Sequence, residues 1–177
     1  FFDKSLDIVE MPLRDLCIID LLYSTGIRVS ECASILIPNI NFRNNSIKIL
    51  GKGKKERIVL FGDKTKKNLT TYMNEENIQI EGYLFIPGNK KSKNNYITTR
   101  TIYNIVKKYI KFISSNEKLG PHSLRHSFAT HLLQTGSDLM AIKDLLGHSS
   151  LSSTQIYTHL DTKRMKEIYD KSHPHAK

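Results

Sequence analysis

The chain has 177 residues, of which 39% are hydrophobic, and its 27 Lys and Arg against 17 Asp and Glu give a formal net charge of +10. That is the length of one ordinary domain with enough apolar content for a core, which argues against a disordered chain. No apolar run approaches the ~18 residues that span a bilayer, and the two cysteines argue against a disulfide framework or a metal site and fit a cytosolic setting.

The positive charge is concentrated in two blocks. Residues 48–67 carry eight Lys and Arg against two acidic residues, a net +6, and residues 90–118 carry eight against one, a net +7. Such clustering favours a polyanionic partner such as nucleic acid. A solvated lysine-rich surface would give the same counts, so charge alone leaves that alternative open.

The first third of the chain predicts two helices followed by a hairpin. Apolar spacing of three and four residues predicts a largely buried helix over 12–24, and a second helix over 28–36 is expected to end at Pro38. Arg28 and Glu31 lie three residues apart on one face at the start of this helix. The plainest interpretation is a surface ion pair, which would contribute little to stability. Two β-rich runs, Ser46–Leu50 and Arg57–Phe61, flank a glycine- and lysine-rich tip at 51–56 and predict a β-hairpin.

The middle of the chain contains the clearest helical pattern. A weakly amphipathic helix is predicted over 63–77, a short buried segment over 83–86, and a polar basic loop over 88–96. From the N-cap candidate Thr98, apolar residues at helical spacing run to Ile113. The opposite face carries basic and polar residues, as expected if it meets phosphates, although a solvated face would look the same: Arg100, Asn104, Lys107, Lys108 and Lys111.

Several helices are expected after Gly120-Pro121. Leu124, Phe128 and Leu132, with the neighbouring Ala129 and Leu133, predict an apolar face that ends by Gly136. Further helices are expected from Asp138 to Gly147, from Ser150 or Ser152 through Tyr157, and over 161–171, with a mobile tail after Lys171 unless it binds another subunit. The predicted fold class is therefore mainly α with a small antiparallel β-sheet, an α+β fold.

The unusual chemistry lies between Gly120 and Tyr157. His122 and Arg125 project from one side of a helix start, and arginine clamps phosphate with two donors while histidine trades protons near neutral pH. If Arg28, Arg125, His122, His148 and Tyr157 converge, they form a phosphate pocket with a phenol nucleophile.

Other interpretations of these side chains remain open. The group His122, His126 and His131 could bind a metal, although no carboxylate or thiol accompanies it at ligand spacing. His126, His131 and His159 could be structural residues, and a single tyrosine most often serves packing.

Five linked segments resemble the tyrosine recombinase (phage integrase) family, most closely its Xer-type members. The resemblance covers essentially the whole chain and includes residues 25–31, 51–54, 122–130, 146–148 and 157–159, which read TGIRVSE, GKGK, HSLRHSFAT, LGH and YTH. It implies the tyrosine recombinase catalytic-domain fold and site-specific DNA cleavage and rejoining.

The resemblance implies a role for each matching residue. Arg28 and Arg125 would bind the scissile phosphate, and Tyr157 would attack phosphorus to form a 3′-phosphotyrosyl link. Lys52 would protonate the leaving 5′ oxygen, His122 would assist proton transfer, and His148 would hydrogen-bond the phosphate. Glu31 would orient neighbouring basic groups. The family needs neither a metal nor a nucleotide cofactor, so none is expected.

Charge and resemblance together predict the DNA-binding residues and the assembly. We expect DNA contacts from a basic set: Lys54, Lys55, Arg57, Lys91, Lys93, Arg100 and Lys107. The catalytic domain would span 1–160, and 161–177 would form a C-terminal helix and tail that dock on a neighbouring subunit of a tetramer on double-stranded DNA. The start at Phe1-Phe2-Asp3, without Met, fits a piece of a longer protein that lacks the family's N-terminal core-binding domain.

The resemblance also implies a cellular location, and two other functions remain open. The location would be the bacterial cytoplasm at the nucleoid, with no membrane and with no regulatory partner identifiable. A DNA-binding accessory protein without chemistry, or a topoisomerase that nicks and reseals one strand, would use a similar surface. The task could be Xer-like chromosome dimer resolution or mobile-element integration.

Overall fold

The computed structural model describes residues 10–51, 56–88, 95–116, 118–134, 166–167 and 169–170. Within these ranges the chain is mostly helical and carries one three-stranded antiparallel sheet, which confirms the predicted fold class. In chain order the elements are α1 (Leu13–Thr25), α2 (Val29–Ala33), a 3-10 turn (Ile37–Asn39), β1 (Ile40–Asn41), β2 (Ser46–Leu50), β3 (Glu56–Leu60), α3 (Asp63–Glu75), α4 (Thr99–Ile113) and α5 (Pro121–Gln134).

Helix α1 lies at the centre of the core. It contacts α2, α3, α4, α5 and β3, and every residue from Cys17 to Thr25 is buried. A helix that is surrounded on all sides must be apolar nearly all round, as its sequence is. Cys17 and Cys32 are both free and buried, as predicted, and burial raises the pKa of each thiol.

The sheet has the order β1-β2-β3, and β2 pairs with β3 from Ser46↔Leu60 to Leu50↔Glu56. The predicted hairpin strands are therefore confirmed to within one residue. Arg57 and Val59 both point to the buried face of β3, because side chains on a strand alternate. The two-residue strand β1 was not predicted, since so short a segment becomes a strand only through its pairing with β2.

The second helix is shorter than the predicted 28–36. It ends at Ala33, after which the chain pairs with the segment around Tyr83. Leu84 donates its backbone N–H to the carbonyl of Ile35 at 2.9 Å, and Ile37 donates to Gly82 at 3.0 Å. Pairing with a segment nearly fifty residues away therefore ends the helix before Pro38 does.

Helix α4 matches its prediction closely. The Thr98 hydroxyl accepts a hydrogen bond from the Thr101 N–H at 3.1 Å, which is the expected N-cap. The core-facing positions Ile102, Ile105, Val106, Tyr109 and Ile110 are all buried. The opposite, basic face points to solvent apart from Lys107, which is half-buried.

A second, smaller apolar cluster forms where α5 meets the sheet. Leu60, Phe128 and Leu132 surround Tyr169, which is 1% exposed. Leu133 is 48% exposed, so the apolar face predicted for α5 does not include it. Positions 166–167 and 169–170 are helical, whereas the helices predicted between 138 and 160, and the tail after Lys171, lie outside the described residues. None of the helices that the structure describes is long and apolar enough to cross a membrane.

Candidate active site

The turn between α1 and α2 positions the first arginine. Helix α1 ends at Gly26, whose φ of 62° lies in the left-handed region where glycine is unstrained. Arg28 then occupies the N-cap of α2, and its backbone N–H donates to the Glu31 carboxylate (Oε2) at 2.7 Å. The Arg28 guanidinium donates from Nη1 to the other oxygen of Glu31 at 3.0 Å. Glu31 therefore fixes both the backbone and the side chain of Arg28.

Glu31 is clamped from the opposite side by Arg57. The Arg57 guanidinium donates two parallel hydrogen bonds, from Nη1 to Oε1 and from Nη2 to Oε2, both at 2.8 Å. Four N–H groups thus surround a buried carboxylate, enough to occupy its two oxygens. Burial alone would raise the pKa of Glu31, but the hydrogen bonds from Arg57 and Arg28 outweigh burial and lower it. Glu31 is therefore an anion.

This arrangement corrects the expected role of Arg57. A DNA contact needs an exposed guanidinium, but Arg57 is 5% exposed and both ends of its fork face Glu31. Side chains alternate between the two faces of a strand, so Arg57 lies on the same face of β3 as Val59, two residues later. That alternation could have predicted the burial of Arg57 from the sequence. The identity of its partner was not predictable, because Glu31 lies 26 residues away on another element.

Arg125 enters the same site from α5. Its Nη1 donates to the backbone carbonyl of Gly26, so the glycine that ends α1 also holds the second arginine. Burial, together with the nearby positive charges of Arg28 and Arg57, lowers the pKa of Arg125 to about 10. The predicted convergence of Arg28 and Arg125 is therefore present in the fold. Like charges held this close favour an anion between them.

The histidines of α5 differ in their surroundings. His122, in the first turn, is exposed and lies three residues before Arg125 as predicted. His126 is exposed, so the structural role considered for it is not supported. His131 is half-buried and its Nδ1 lies 3.1 Å from the Tyr23 hydroxyl, and burial lowers its pKa. No group of three His, Cys, Asp or Glu in the described ranges could hold a metal ion, so these histidines do not form the metal site considered above.

Part of the predicted site lies outside the described residues. This holds for three of the six predicted catalytic groups, Lys52, His148 and Tyr157, and also for His159. It holds as well for four of the seven expected DNA contacts, Lys54, Lys55, Lys91 and Lys93.

The basic face of α4 approaches the start of α5. A methyl group at Gly120, just before α5, would lie 3.9 Å from Cε of Lys107 and 4.0 Å from Cε2 of Tyr103. The guanidinium carbon of Arg100 lies 6.0 Å from the centre of the Tyr103 ring. Tyr103, which the sequence did not single out, therefore lies between Arg100 and the residue that precedes α5.

Comparison with known proteins gives consistent relatives. The tyrosine recombinase XerC of Thermodesulfovibrio yellowstonii is 46% identical over 99% of this chain and 62% of its own length. The tyrosine recombinase XerD of Staphylococcus haemolyticus is 40% identical over 98% of this chain and 62% of its own length. The chain therefore spans about 60% of the length of these curated relatives.

Solved structures agree with these relatives. A XerA recombinase superimposes with a TM-score of 0.73 at 28% identity, covering 97% of this chain and 62% of that one. The XerH site-specific recombinase bound to its difH substrate, in a pre-cleavage complex, gives 0.69 at 31% identity, covering 94% of this chain and 50% of that one. Residues 3–164 match the phage integrase family, and the chain belongs to that family.

Proposed function

We propose that the chain is the catalytic part of a site-specific DNA recombinase that cuts and rejoins strands through a covalent phosphotyrosyl intermediate. The observation that carries the proposal is that Arg28 and Arg125 are held at the same turn: Arg28 is the N-cap of α2, and Arg125 donates from Nη1 to the carbonyl of Gly26, two residues before Arg28. A phosphodiester supplies the anion that such a pair favours, and guanidinium forks match its two non-bridging oxygens.

The remaining steps follow from the family's chemistry. The Tyr157 oxygen attacks phosphorus, a phosphotyrosyl bond forms at the 3′ side, and the bond to the 5′ oxygen breaks. Lys52 gives the leaving oxygen its proton, His122 assists removal of the phenol proton, and His148 donates a hydrogen bond to the phosphate. A 5′ hydroxyl from another strand reverses the reaction, so no external energy source is consumed. Glu31 acts by holding Arg28.

DNA would run from the site along α4. Arg100 is exposed on its basic face and Lys107 is half-buried there, and Lys107 and Tyr103 lie next to the residue that precedes α5. Lys54, Lys55, Lys91 and Lys93 complete the basic surface in this proposal. Cations on one face of a helix, next to a phosphate-binding pair, are suited to tracking a nucleic acid backbone.

The domain and assembly proposals follow the family pattern. Residues 1–160 would form the catalytic domain, and 161–177 would dock on a neighbouring subunit in a homo- or hetero-tetramer on DNA, in the cytoplasm at the nucleoid. Tyr169 packs on its own chain against Leu60, Phe128 and Leu132, and in the proposed tetramer the equivalent slot of a neighbouring subunit would receive it instead. The task would be Xer-like chromosome dimer resolution or mobile-element integration.

A covalent trapping assay tests the proposal without a known target site. The chain is incubated with a library of nicked duplexes whose core sequence is randomised, so that a trapped strand cannot be rejoined. We expect a protein–DNA adduct that survives denaturation and forms in excess chelator. Tyr157→Phe should form none, whereas Tyr96→Phe should form as much as the wild type, because it changes an exposed tyrosine whose ring centre lies 4.8 Å from that of Tyr83.

Equal adduct yield from Tyr157→Phe would refute the assignment of the nucleophile. A strict metal requirement would refute the proposed chemistry. DNA binding without any adduct would identify a non-catalytic accessory protein, and relaxation of supercoiled DNA without strand exchange would identify a topoisomerase.

A further inference from the structure

We infer that Arg57 is a positioning residue for the proposed reaction: by occupying both oxygens of Glu31, it leaves the Arg28 guanidinium available to phosphate. The effect on DNA cleavage rests on the proposed function. The positioning of Arg28 rests on the hydrogen bonds around Glu31. Arg57 does not reach the reacting atoms in this role, because its fork is directed at Glu31.

The donors around Glu31 are divided unequally. Arg57 supplies two side-chain hydrogen bonds of 2.8 Å, whereas the Arg28 side chain supplies one of 3.0 Å from Nη1. A guanidinium has five N–H donors, so Arg28 keeps most of its donors for another anion. The Arg28 side chain is 38% exposed and that of Arg57 is 6% exposed, which places the available donors on the solvent side.

Without Arg57, Arg28 would have to supply the side-chain hydrogen bonds that Glu31 accepts. A buried carboxylate without enough donors is costly, so Glu31 would take the nearest remaining cation. That cation is Arg28, whose backbone and side chain already contact Glu31. Its fork would then turn from the phosphate to the carboxylate. The net charge of the four groups Arg28, Glu31, Arg57 and Arg125 would also fall from +2 to +1, and the site would attract an anionic phosphate less strongly.

Two substitutions at position 57 separate geometry from charge. Arg57→Met removes the charge and both hydrogen bonds, and Arg57→Lys keeps the charge but loses the fork. The double variant Glu31→Gln/Arg57→Met removes the carboxylate that would capture Arg28. The matched control is Arg43→Met, the same change at an exposed arginine in the turn before β2, at the opposite end of that strand from the hairpin tip.

The first measurement is the rate constant of adduct formation at saturating DNA, with one duplex selected from the randomised library. We expect Arg57→Met to be slower by about 10- to 100-fold, as is typical when the support of a functional group is removed. Arg57→Lys should be intermediate, the double variant should be faster than Arg57→Met, and Arg43→Met should match the wild type.

Two further readouts would not respond to general structural damage. Binding to the same duplex, measured in the Tyr157→Phe background, should lose about one unit of salt dependence in Arg57→Met, because Arg28 turns from the phosphate to Glu31. The double variant should regain that salt dependence, because Glu31→Gln removes the carboxylate that captures Arg28. The defect of Arg57→Met should shrink as the pH falls, because without Arg57 burial raises the pKa of Glu31, and a protonated Glu31 no longer holds Arg28.

Three results would overturn the inference. A salt dependence of log Kd that remains weaker by about one unit in the double variant would make Arg57 itself a DNA contact. A cleavage rate equal to that of Arg43→Met would remove the positioning role, and so would a defect that is independent of pH. If Arg57→Met does not fold, Arg57→Lys and the double variant give the same comparison. Absence of an adduct from the wild type would instead overturn the proposed function, so the two failures are distinguishable.

Discussion

Glu31→Gln gives the sharpest test of the charge network. The substitution keeps the size of the side chain but removes its charge, and it replaces one acceptor oxygen with an NH2 group that faces other donors. Arg57, with a side chain that is 6% exposed, would become a buried cation without its anion. Removing one partner of a buried ion pair costs about 3–5 kcal/mol.

The lower end of that range applies here, because glutamine retains one carbonyl oxygen. We therefore expect a loss of about 3 kcal/mol in the free energy of unfolding at pH 7. In a domain of this size, each 1 kcal/mol changes Tm by about 2–4 °C, so Tm should fall by about 6–12 °C. The matched control is Glu56→Gln, which breaks an exposed pair with Lys48 whose side chains are 54% and 56% exposed. It should cost less than about 0.5 kcal/mol.

The dependence on pH gives a second signature. Because folding lowers the pKa of Glu31, its stabilising contribution is complete above the pKa of the unfolded chain. That contribution is lost as the pH falls through the lower pKa of the folded state. The difference between wild type and Glu31→Gln, measured by urea unfolding with far-UV circular dichroism, should therefore narrow in acid. A difference below about 1 kcal/mol at pH 7, or one that stays constant with pH, would refute the reasoning.

Three other substitutions test the supports of the site. Gly26→Ala places a Cβ at a φ of 62° and should lower the free energy of unfolding in urea by about 1–2 kcal/mol. Adduct formation should also be slower, because the Gly26 carbonyl holds Arg125. Unchanged stability would contradict this prediction. Leu132→Ala opens a cavity beside Tyr169 and should cost about 2–5 kcal/mol, whereas Leu133→Ala, one residue along and exposed, should cost under 1; equal losses would argue against the described packing. Thr98→Ala should cost about 1 kcal/mol by removing the N-cap of α4, and Thr98→Ser should cost less; equal urea midpoints for the two would contradict the cap.

Local patterns were sufficient where neighbouring residues decide the structure. The spacing from Thr98 to Ile113 identified both the cap and the buried face of α4, because helix periodicity depends on residues three and four apart. The helix predicted over 28–36 was too long, because the pairing of Leu36 with Tyr83 cannot be recognised from neighbouring residues. Tertiary pairing overrides propensity at such places.

In the candidate site, too, local motifs identified some residues, whereas others depend on the tertiary fold. Arg28, Glu31, His122 and Arg125 were identified from their motifs, and the described elements bring Arg28, Glu31 and Arg125 together. Strand alternation could have placed Arg57 on the buried face of β3, but the sequence could not identify its partner. Its burial requires a carboxylate supplied by another element, and that is a property of the tertiary fold.

The clamp between Arg57 and Glu31 also constrains how the chain can diverge. A change at Glu31 alone leaves Arg57 buried without this carboxylate, and a change at Arg57 alone leaves Glu31 to draw Arg28 out of its position, whereas a change at both removes the mismatch. Evolutionary paths through a single replacement therefore pass through a destabilised protein. The two residues are expected to be retained together or replaced together, even though they lie on a helix and a strand that are separated by 26 positions in the chain.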